Sequence, residues 1–325
     1  MDYLHHLSTD PYLNMAFDEM CLQEPPVERP FFYLWQDSPS VIIGLNQNAF
    51  AEVNIPYLQQ KGIALVRRVT GGGAVYHDLQ NLNYTITGRL RDLERDFPSY
   101  MDMVAGALRS LGVPATVSGR NDILVGARKC SGYAKRVWKD RIMIHGTLMY
   151  DVDLEEMTRA LSVPGSKFAS AGVASVRSRV VNLREYLPDM GLGAFRAALQ
   201  ERLSAGGSEI PVPPAMEARA AEEADAKFRT WEWNFGHSPA AEFSARRKFA
   251  CGTVQADWSV RHGLLEELSF GGDFTGNLPA ETLAAALRGC RFGRGELGRA
   301  IAESGISPSD CFDNLETSEF LDLFF

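Results

Sequence analysis

Three consecutive glycines, Gly71, Gly72 and Gly73, separate two short apolar runs, Ile63 to Val66 and Ala74 to Tyr76, each of which reads as a strand. Residues without Cβ reach positive φ and let amide N–H groups approach a ligand, so the run implies a tight connection carrying bare backbone. On these residues alone it reads either as a hairpin turn or as an anion cradle. Arg67 and Arg68 precede the glycines, and His77 and Asp78 follow Tyr76. A guanidinium presents a planar fork suited to phosphate or carboxylate, so the segment is expected to bring two guanidinium groups and open backbone to an anion. GxxxxGK[ST] is absent, and no GxGxxG leads into a helix here, so neither common nucleotide-binding motif applies.

A second segment, GRNDILVGARKCSGYAK at 119–135, supplies a single lysine, Lys129, ahead of a Ser-Gly pair. A lone lysine is ordinarily a solvated surface group. Here Arg120, Arg128, Lys135, Arg136, Lys139 and Arg141 crowd the same stretch, although the whole chain carries a formal charge of −8. A basic island in an acidic protein points to an anionic ligand or an acidic partner surface. An ammonium beside a transferring phosphoryl or acyl oxygen stabilises charge that grows in the transition state, which makes Lys129 the expected catalytic residue. Asp122 is either a carboxylate for Mg²⁺ or a turn or capping residue after Asn121.

Other chemistry is thin. His5, His6, His77, His145, His237 and His262 show no metal-ligand spacing. His145, before Gly146 and Thr147, is either a ligand contact or a satisfied core histidine. The five cysteines, Cys21, Cys130, Cys251, Cys290 and Cys311, form no CxxC pair, which points to a reduced cytoplasmic protein. The N-terminus lacks a cationic region leading into an apolar stretch, and no run approaches the length of a membrane span, so neither secretion nor a membrane is expected. The acidic balance argues against nucleic acid.

Helices and strands alternate irregularly, as in an α+β protein. Asp10-Pro11 reads as a cap opening a helix through Leu22; Phe31 to Trp35, Val41 to Gly44, Ile123 to Val125 and Ile142 to Tyr150 read as strands, and Tyr100 to Leu111 as a helix. After Ile210 a Pro-rich connection and an Ala/Glu helix end in aromatics, and Gly236 to Glu242 reads as a linker. The division predicted is a larger domain over 1–236 and a smaller α+β domain over 243–325, with strands through Phe270 and helices around Pro279 to Leu287 and Arg294 to Glu303. The chain, at 325 residues and 45% hydrophobic, is long enough for two such cores.

Several segments together resemble the bacterial lipoate-protein ligases of the A type: RRVTGGGAVYHD, GRNDI, the Lys-x-Ser-Gly element at Lys129, HGTL from His145, SVRSRVVNL from Ser175, WEWNFG from Trp231 and LRGC from Leu287. The resemblance spans nearly the whole chain. It implies a mixed-sheet catalytic domain of the biotin/lipoate ligase type followed by a smaller accessory domain that swings between the reaction steps. It also implies activation of lipoate by Mg-ATP to lipoyl-AMP and transfer of the lipoyl group to a lysine of apo lipoyl-domain proteins. Those acceptors are 2-oxoacid dehydrogenase complexes and the glycine cleavage H protein. By motif position, Arg68, Gly73, Ala74, Val75, Tyr76 and Lys129 fall at ATP contacts, and Lys129, Gly71, Gly72, His77 and His145 at lipoate contacts. Asp122 is the expected Mg²⁺ ligand.

Two positions depart from the family pattern. Gln80 stands where glycine is usual, which is expected to alter the turn after Asp78. Cys130 replaces an aliphatic residue next to Lys129, and is either a small buried hydrophobe or a thiol activated by cationic neighbours. The second reading leads to a rival activity, an acyltransferase working through a cysteine thioester without ATP. A further reading is a protein that holds lipoate without catalysis. The stretch from Ser166 to Arg179, serine-rich and basic, is expected to form a mobile cover over the adenylate.

Overall fold

A computed structural model describes residues 1–93, 97–118, 121–161 and 179–325. Most of the proposed cover, Ser166 to Arg179, therefore lies outside the described residues, as does Arg120.

An eight-stranded mixed sheet organises the larger part. Its spatial order is Glu209–Ile210 (β11), Asp2–Leu4 (β1), Phe31–Trp35 (β2), Asn81–Arg89 (β6), Arg141–Met149 (β10), Arg128–Trp138 (β9), Asp122–Val125 (β8) and Ala115–Ser118 (β7). β1 runs parallel to both neighbours, and the remaining pairs are antiparallel. Side chains of successive strand residues point to opposite faces. Phe32 and Leu34 of β2 accordingly enter a core with Tyr84, Ile86, Ile144 and Phe195, while Phe31, Tyr33 and Trp35 enter another with Phe17, Met143 and Phe228. Both faces are covered.

The helix Pro11–Gln23 lies on the second face. Asp10 caps it by accepting from the N–H groups of Tyr12 and Leu13, and Pro11 sits in the first turn, as the Asp-Pro pair predicts. Its inward side carries Asn14 and Asp18 beside Met15 and Phe17. Burying polar groups is unfavourable unless they are bonded, and both are bonded here to the residues around the candidate site.

The glycine run does not close a hairpin. Ser40–Ile43 (β3) is the centre of a three-stranded sheet, with Ala64–Arg67 (β4) parallel on one side and Val75–His77 (β5) antiparallel on the other. The loop from β4 to β5 must therefore cross the end of β3. It does so directly over Gly44, where a Cβ would lie 2.0 Å from the carbonyl oxygen of Gly72. Gly72 has φ +99°, in the left-handed region open to glycine. Leu45 N–H donates to Thr70 C=O at 2.8 Å and fastens the crossing.

The C-terminal part forms its own antiparallel sheet, Ala241–Phe249 (β12), Gly252–Arg261 (β13) and Leu264–Gly272 (β14), with helices Ala280–Leu287 and Arg294–Ser304. Its aromatic core joins that of the small three-stranded sheet, with Phe50 and Phe292 rings edge-to-face at 5.2 Å. The stretch read as a linker is firmer at its start than its composition implied. Ser238 is fully buried and accepts from Ala49 N–H at 3.2 Å.

Candidate active site

Lys129 is the second residue of β9, beside the turn of the β8–β9 hairpin, and pairs with Leu124. Its backbone N–H donates to Arg179 C=O at 2.8 Å, and its C=O accepts from Val181 N–H at 2.9 Å. The end of the SVRSRVVNL segment is thereby fixed against the lysine. The ammonium reaches the Asp122 carboxylate at 2.7 Å, and both side chains are more than a third exposed. The next residue points the other way. Cys130 is fully buried, and its thiol donates weakly to Ile123 C=O at 3.4 Å. Burial pushes that thiol up to about 12. A neutral thiol on the core side of the strand is not a nucleophile, so the thioester reading fails at this residue.

Two cavities meet at Lys129. One, of about 150 Å³, is walled by Met15, Trp35 and Ile42 together with His77, Asn83 and His145. The other, of about 760 Å³, is walled by Tyr76, Asp122, Met149, Met157 and Arg179. They share Ala74, Val75, Lys129, Gly132 and Thr147. Arg68, Gly72, Gly73, Ala74, Val75, His77, Lys129 and His145 thus line the first cavity, and Tyr76 and Asp122 line the second. Gly71 lines neither; its carbonyl accepts from Arg68.

The two arginines divide their work differently from the expectation that both face an anion. Arg67 is fully buried and donates to the carbonyls of Gly44, Leu45, Gln47, Trp233 and Asn234 and to Ser238 Oγ. It staples the chain around residue 45 to the WEWNFG segment and turns away from both cavities. Arg68 lines the first cavity, but its fork grips the loop itself, donating to Ile42, Gly71 and Gly73 carbonyls at 3.0, 2.8 and 2.8 Å. Burial pulls both guanidinium groups down to about 10, which leaves them charged at neutral pH.

Behind the loop runs a buried polar chain. Arg68 Nε donates to Thr70 Oγ1 at 3.0 Å; Thr70 Oγ1 contacts His145 Nε2 at 2.7 Å; His145 Nδ1 contacts Asp18 Oδ2 at 2.6 Å. Asp18 Oδ1 accepts from Thr85 Oγ1 at 2.8 Å and from the Tyr33 hydroxyl. His145 is therefore both a satisfied core histidine and a wall of the cavity.

A family model of the lipoyl protein ligase A/B catalytic domain matches residues 10–204, and a model of the bacterial lipoate protein ligase C-terminus matches residues 238–324. The chain belongs to the lipoate-protein ligase family. Lipoate-protein ligase LplJ of Bacillus subtilis is 35% identical over 323 residues, covering 97% of each chain. A solved bipartite lipoate protein ligase from Thermoplasma acidophilum, studied with its E2 lipoyl domain, superposes with a TM-score of 0.66 at 30% identity, covering 73% of this chain and 96% of that one. A lipoate-protein ligase A bound with ATP gives 0.63 at 29% identity, covering 73% and 98%. The fold is the mixed-sheet ligase fold with a smaller α+β part, as the resemblance implied.

Within this ligase framework the basic island disperses. Arg128 pairs with Glu185 at 2.9 Å, Arg141 with Glu28 at 2.8 Å, and Arg136 donates to Val69 C=O at 2.7 Å. Of the described cationic residues in that stretch, Lys129 is the one that lines the first cavity. Alternation along a strand spreads neighbouring charges over two faces, so sequence density overstated their convergence. Gln80 is accommodated without glycine, because Asp78 Oδ1 accepts its N–H at 2.8 Å in a turn that needs no positive φ at residue 80. Asp18, Thr70 and Asp37 escaped the sequence reading. For Asp18 the available signal was a polar residue on the inward side of an otherwise apolar helix face, whereas Thr70 and Asp37 lie outside helices.

Proposed function

We propose that the smaller cavity receives lipoate, that the larger one receives ATP, and that Lys129 serves both. The position of one ammonium at the wall shared by a narrow pocket and a wider one carries this reading. Lipoate's carboxylate oxygen attacks the α-phosphorus, the bond to the departing pyrophosphate breaks, and lipoyl-AMP results. A lysine amine of an apo lipoyl domain then attacks the acyl carbon, the bond to the AMP oxygen breaks, and the amine proton is released. Lys129 donates to the carboxylate and α-phosphate oxygens and neutralises charge growing between them, which needs positioning rather than proton transfer. Ala74, Val75 and Tyr76 shape the phosphate side, Gly72, His77 and His145 the acyl side, and Arg68 and Gly73, expected at ATP, act from the loop that walls the smaller cavity.

Asp122 fits a Mg²⁺ role in its chemistry, since the ion takes few carboxylates beside phosphate oxygens, and the side chain lines the larger cavity. Bound there, Mg²⁺ would offset triphosphate charge. Residues 1–236 act as the catalytic domain and 243–325 as an accessory domain that reorients between steps. The acceptors are lipoyl domains of 2-oxoacid dehydrogenase complexes and the glycine cleavage H protein. Five unpaired cysteines support a cytoplasmic setting.

Incubating the protein with lipoate, Mg-ATP and an apo lipoyl domain tests the reading. Lipoate-dependent AMP and a lipoylated acceptor by mass are expected, with Lys129→Ala slowed on the order of 10²- to 10³-fold. Absence of AMP from the wild type, or near wild-type turnover by the variant, overturns it.

A further inference from the structure

The wall common to the two cavities consists of Ala74, Val75, Lys129, Gly132 and Thr147, and of these only Lys129 and Thr147 carry a polar side chain. Strand alternation fixes where Thr147 points. Ile144 and Leu148 of β10 are fully buried in the core with Phe195, so His145, Thr147 and Met149 face the other way. Along that row His145 walls the smaller cavity, Thr147 both and Met149 the larger. The paired strand repeats the order, with Asn83 opposite Thr147 on the smaller cavity and Asn81 opposite Met149 on the larger. Thr147 thus marks the place on the sheet where the two cavities join.

Its hydroxyl is turned toward the lysine strand. β9 and β10 stay paired as far as Tyr133 and Gly146. Beyond that pair the contact passes to a side chain, and Gly132 N–H donates to Thr147 Oγ1 at 3.4 Å. The Lys129 ammonium lies against the same glycine. A hydroxyl that accepts still has its own proton to give, and among the described residues Thr147 donates to no protein group. The side chain is half-buried, so a ligand at the junction can reach it.

We propose that Thr147 is a catalytic residue of the transfer step, whose hydroxyl donates to the acyl oxygen of lipoyl-AMP. This rests on the ligase reading above. The Lys129 ammonium is paired with Asp122, a residue of the larger cavity, whereas the partner of Thr147 across the sheet, Asn83, belongs to the smaller one. Of the two carboxylate oxygens of lipoate, one attacks phosphorus and the other becomes the acyl carbonyl oxygen. That second oxygen loses negative charge during adenylation, so a donor to it does not lower the first barrier. During transfer the acceptor amine bonds to the acyl carbon and the carbonyl π pair moves onto the same oxygen. The pair returns as the bond to the AMP oxygen breaks, and the amine proton passes to solvent. The oxygen gains charge on the way, and a donor already in place stabilises it.

Two assays on the full chain test this: lipoate-dependent pyrophosphate release with Mg-ATP, and single-turnover transfer from synthetic lipoyl-AMP to an apo lipoyl domain. Thr147→Val keeps the branched shape and strand preference but removes the hydroxyl. It should slow transfer on the order of 10²-fold, and at least about 10-fold more than it slows pyrophosphate release. Thr147→Ser, which restores the donor, should bring transfer back to within about 5-fold of wild type. Pyrophosphate release slowed as much as transfer overturns the proposal, because it marks a displaced lysine or a phosphate contact. Transfer near the wild-type rate in Thr147→Val, or a serine variant as slow as the valine one, overturns it too. A wild type that releases no pyrophosphate and transfers nothing from lipoyl-AMP overturns the ligase reading as well. Should Thr147→Val not fold, Thr147→Ala is read by the same ratio of the two rates.

Discussion

A Cβ placed on Gly132 would stand 2.7 Å from the ammonium nitrogen of Lys129 and 2.8 Å from its Cε. The lysine side chain lies along the strand over the glycine, three residues on, and this is what aims it at Asp122 and the cavity wall. Gly132 has no positive φ, so alanine suits the backbone there. Only the tip of a flexible side chain must move, and the stability change is small. The ammonium is displaced nonetheless, and a misplacement near 1 Å costs about 10²-fold in rate. Gly132→Ala is therefore expected to lower lipoate-dependent AMP formation at least about 10-fold. Its thermal midpoint should stay within about 3 °C of wild type. A kinetic assay beside a melting curve separates this from a folding defect.

Cys130 makes the opposite case, a residue adjacent to Lys129 with no part in the chemistry. Its thiol faces the core and donates to Ile123 C=O, a contact a serine hydroxyl can reproduce. Cys130→Ser should keep turnover within about 2-fold while losing roughly 1–2 kcal/mol for burying a more polar group. Urea unfolding and the AMP assay on one preparation read both quantities. Loss of turnover with stability intact would return the thiol to the mechanism.

Arg67 looked in sequence like the partner of Arg68 at an anion. Its guanidinium instead satisfies five backbone carbonyls and Ser238 Oγ in a fully buried setting. Lysine cannot reproduce that fork, and several buried acceptors would lose their donor. Arg67→Lys is expected to lose roughly 3 kcal/mol of stability in urea unfolding. At a temperature where it remains folded, KM for ATP should hold near the wild-type value, which a direct phosphate contact would not permit.

What sequence could convey follows from the range of each interaction. Helix Pro11–Gln23 and strand β2 were legible because capping and alternation are local. The glycine run was legible as a feature but not as a crossing over β3, since that depends on Gly44 packing against Gly72. Lys129 stood out through its motif, and its place at both cavities follows from the pairing of β9 with β8 and β10. Asp18 was not, because its value lies in a contact with His145 that spans 127 residues of chain. The two arginines differ only in which face of the strand end they leave, and a sequence gives adjacent arginines the same weight.

A chain of buried contacts runs from His77 through Asp37 and Asn14 to His6, whose titration is readable in stability. His6 stacks on Phe17, with ring centroids 4.1 Å apart, and burial lowers its pKa below the ordinary 6.5, outweighing its bond to Asn14. The unfolded chain therefore takes up this proton at a higher pH than the folded one. Above 6.5 the group is neutral in both states and the native state keeps its full stability; as pH falls toward the folded pKa, unfolding is favoured by up to about 1.4 kcal/mol per unit. His237 is also lowered, mainly by burial with Arg67 adding to it, and contributes a slope of the same sign. Urea unfolding at about pH 7.5, 6.5 and 5.5 should show stability falling on the acid side, with part of that fall removed in His6→Phe. The phenyl ring keeps the stacking on Phe17, so a profile unchanged by the substitution would mean that His6 does not titrate differently on folding.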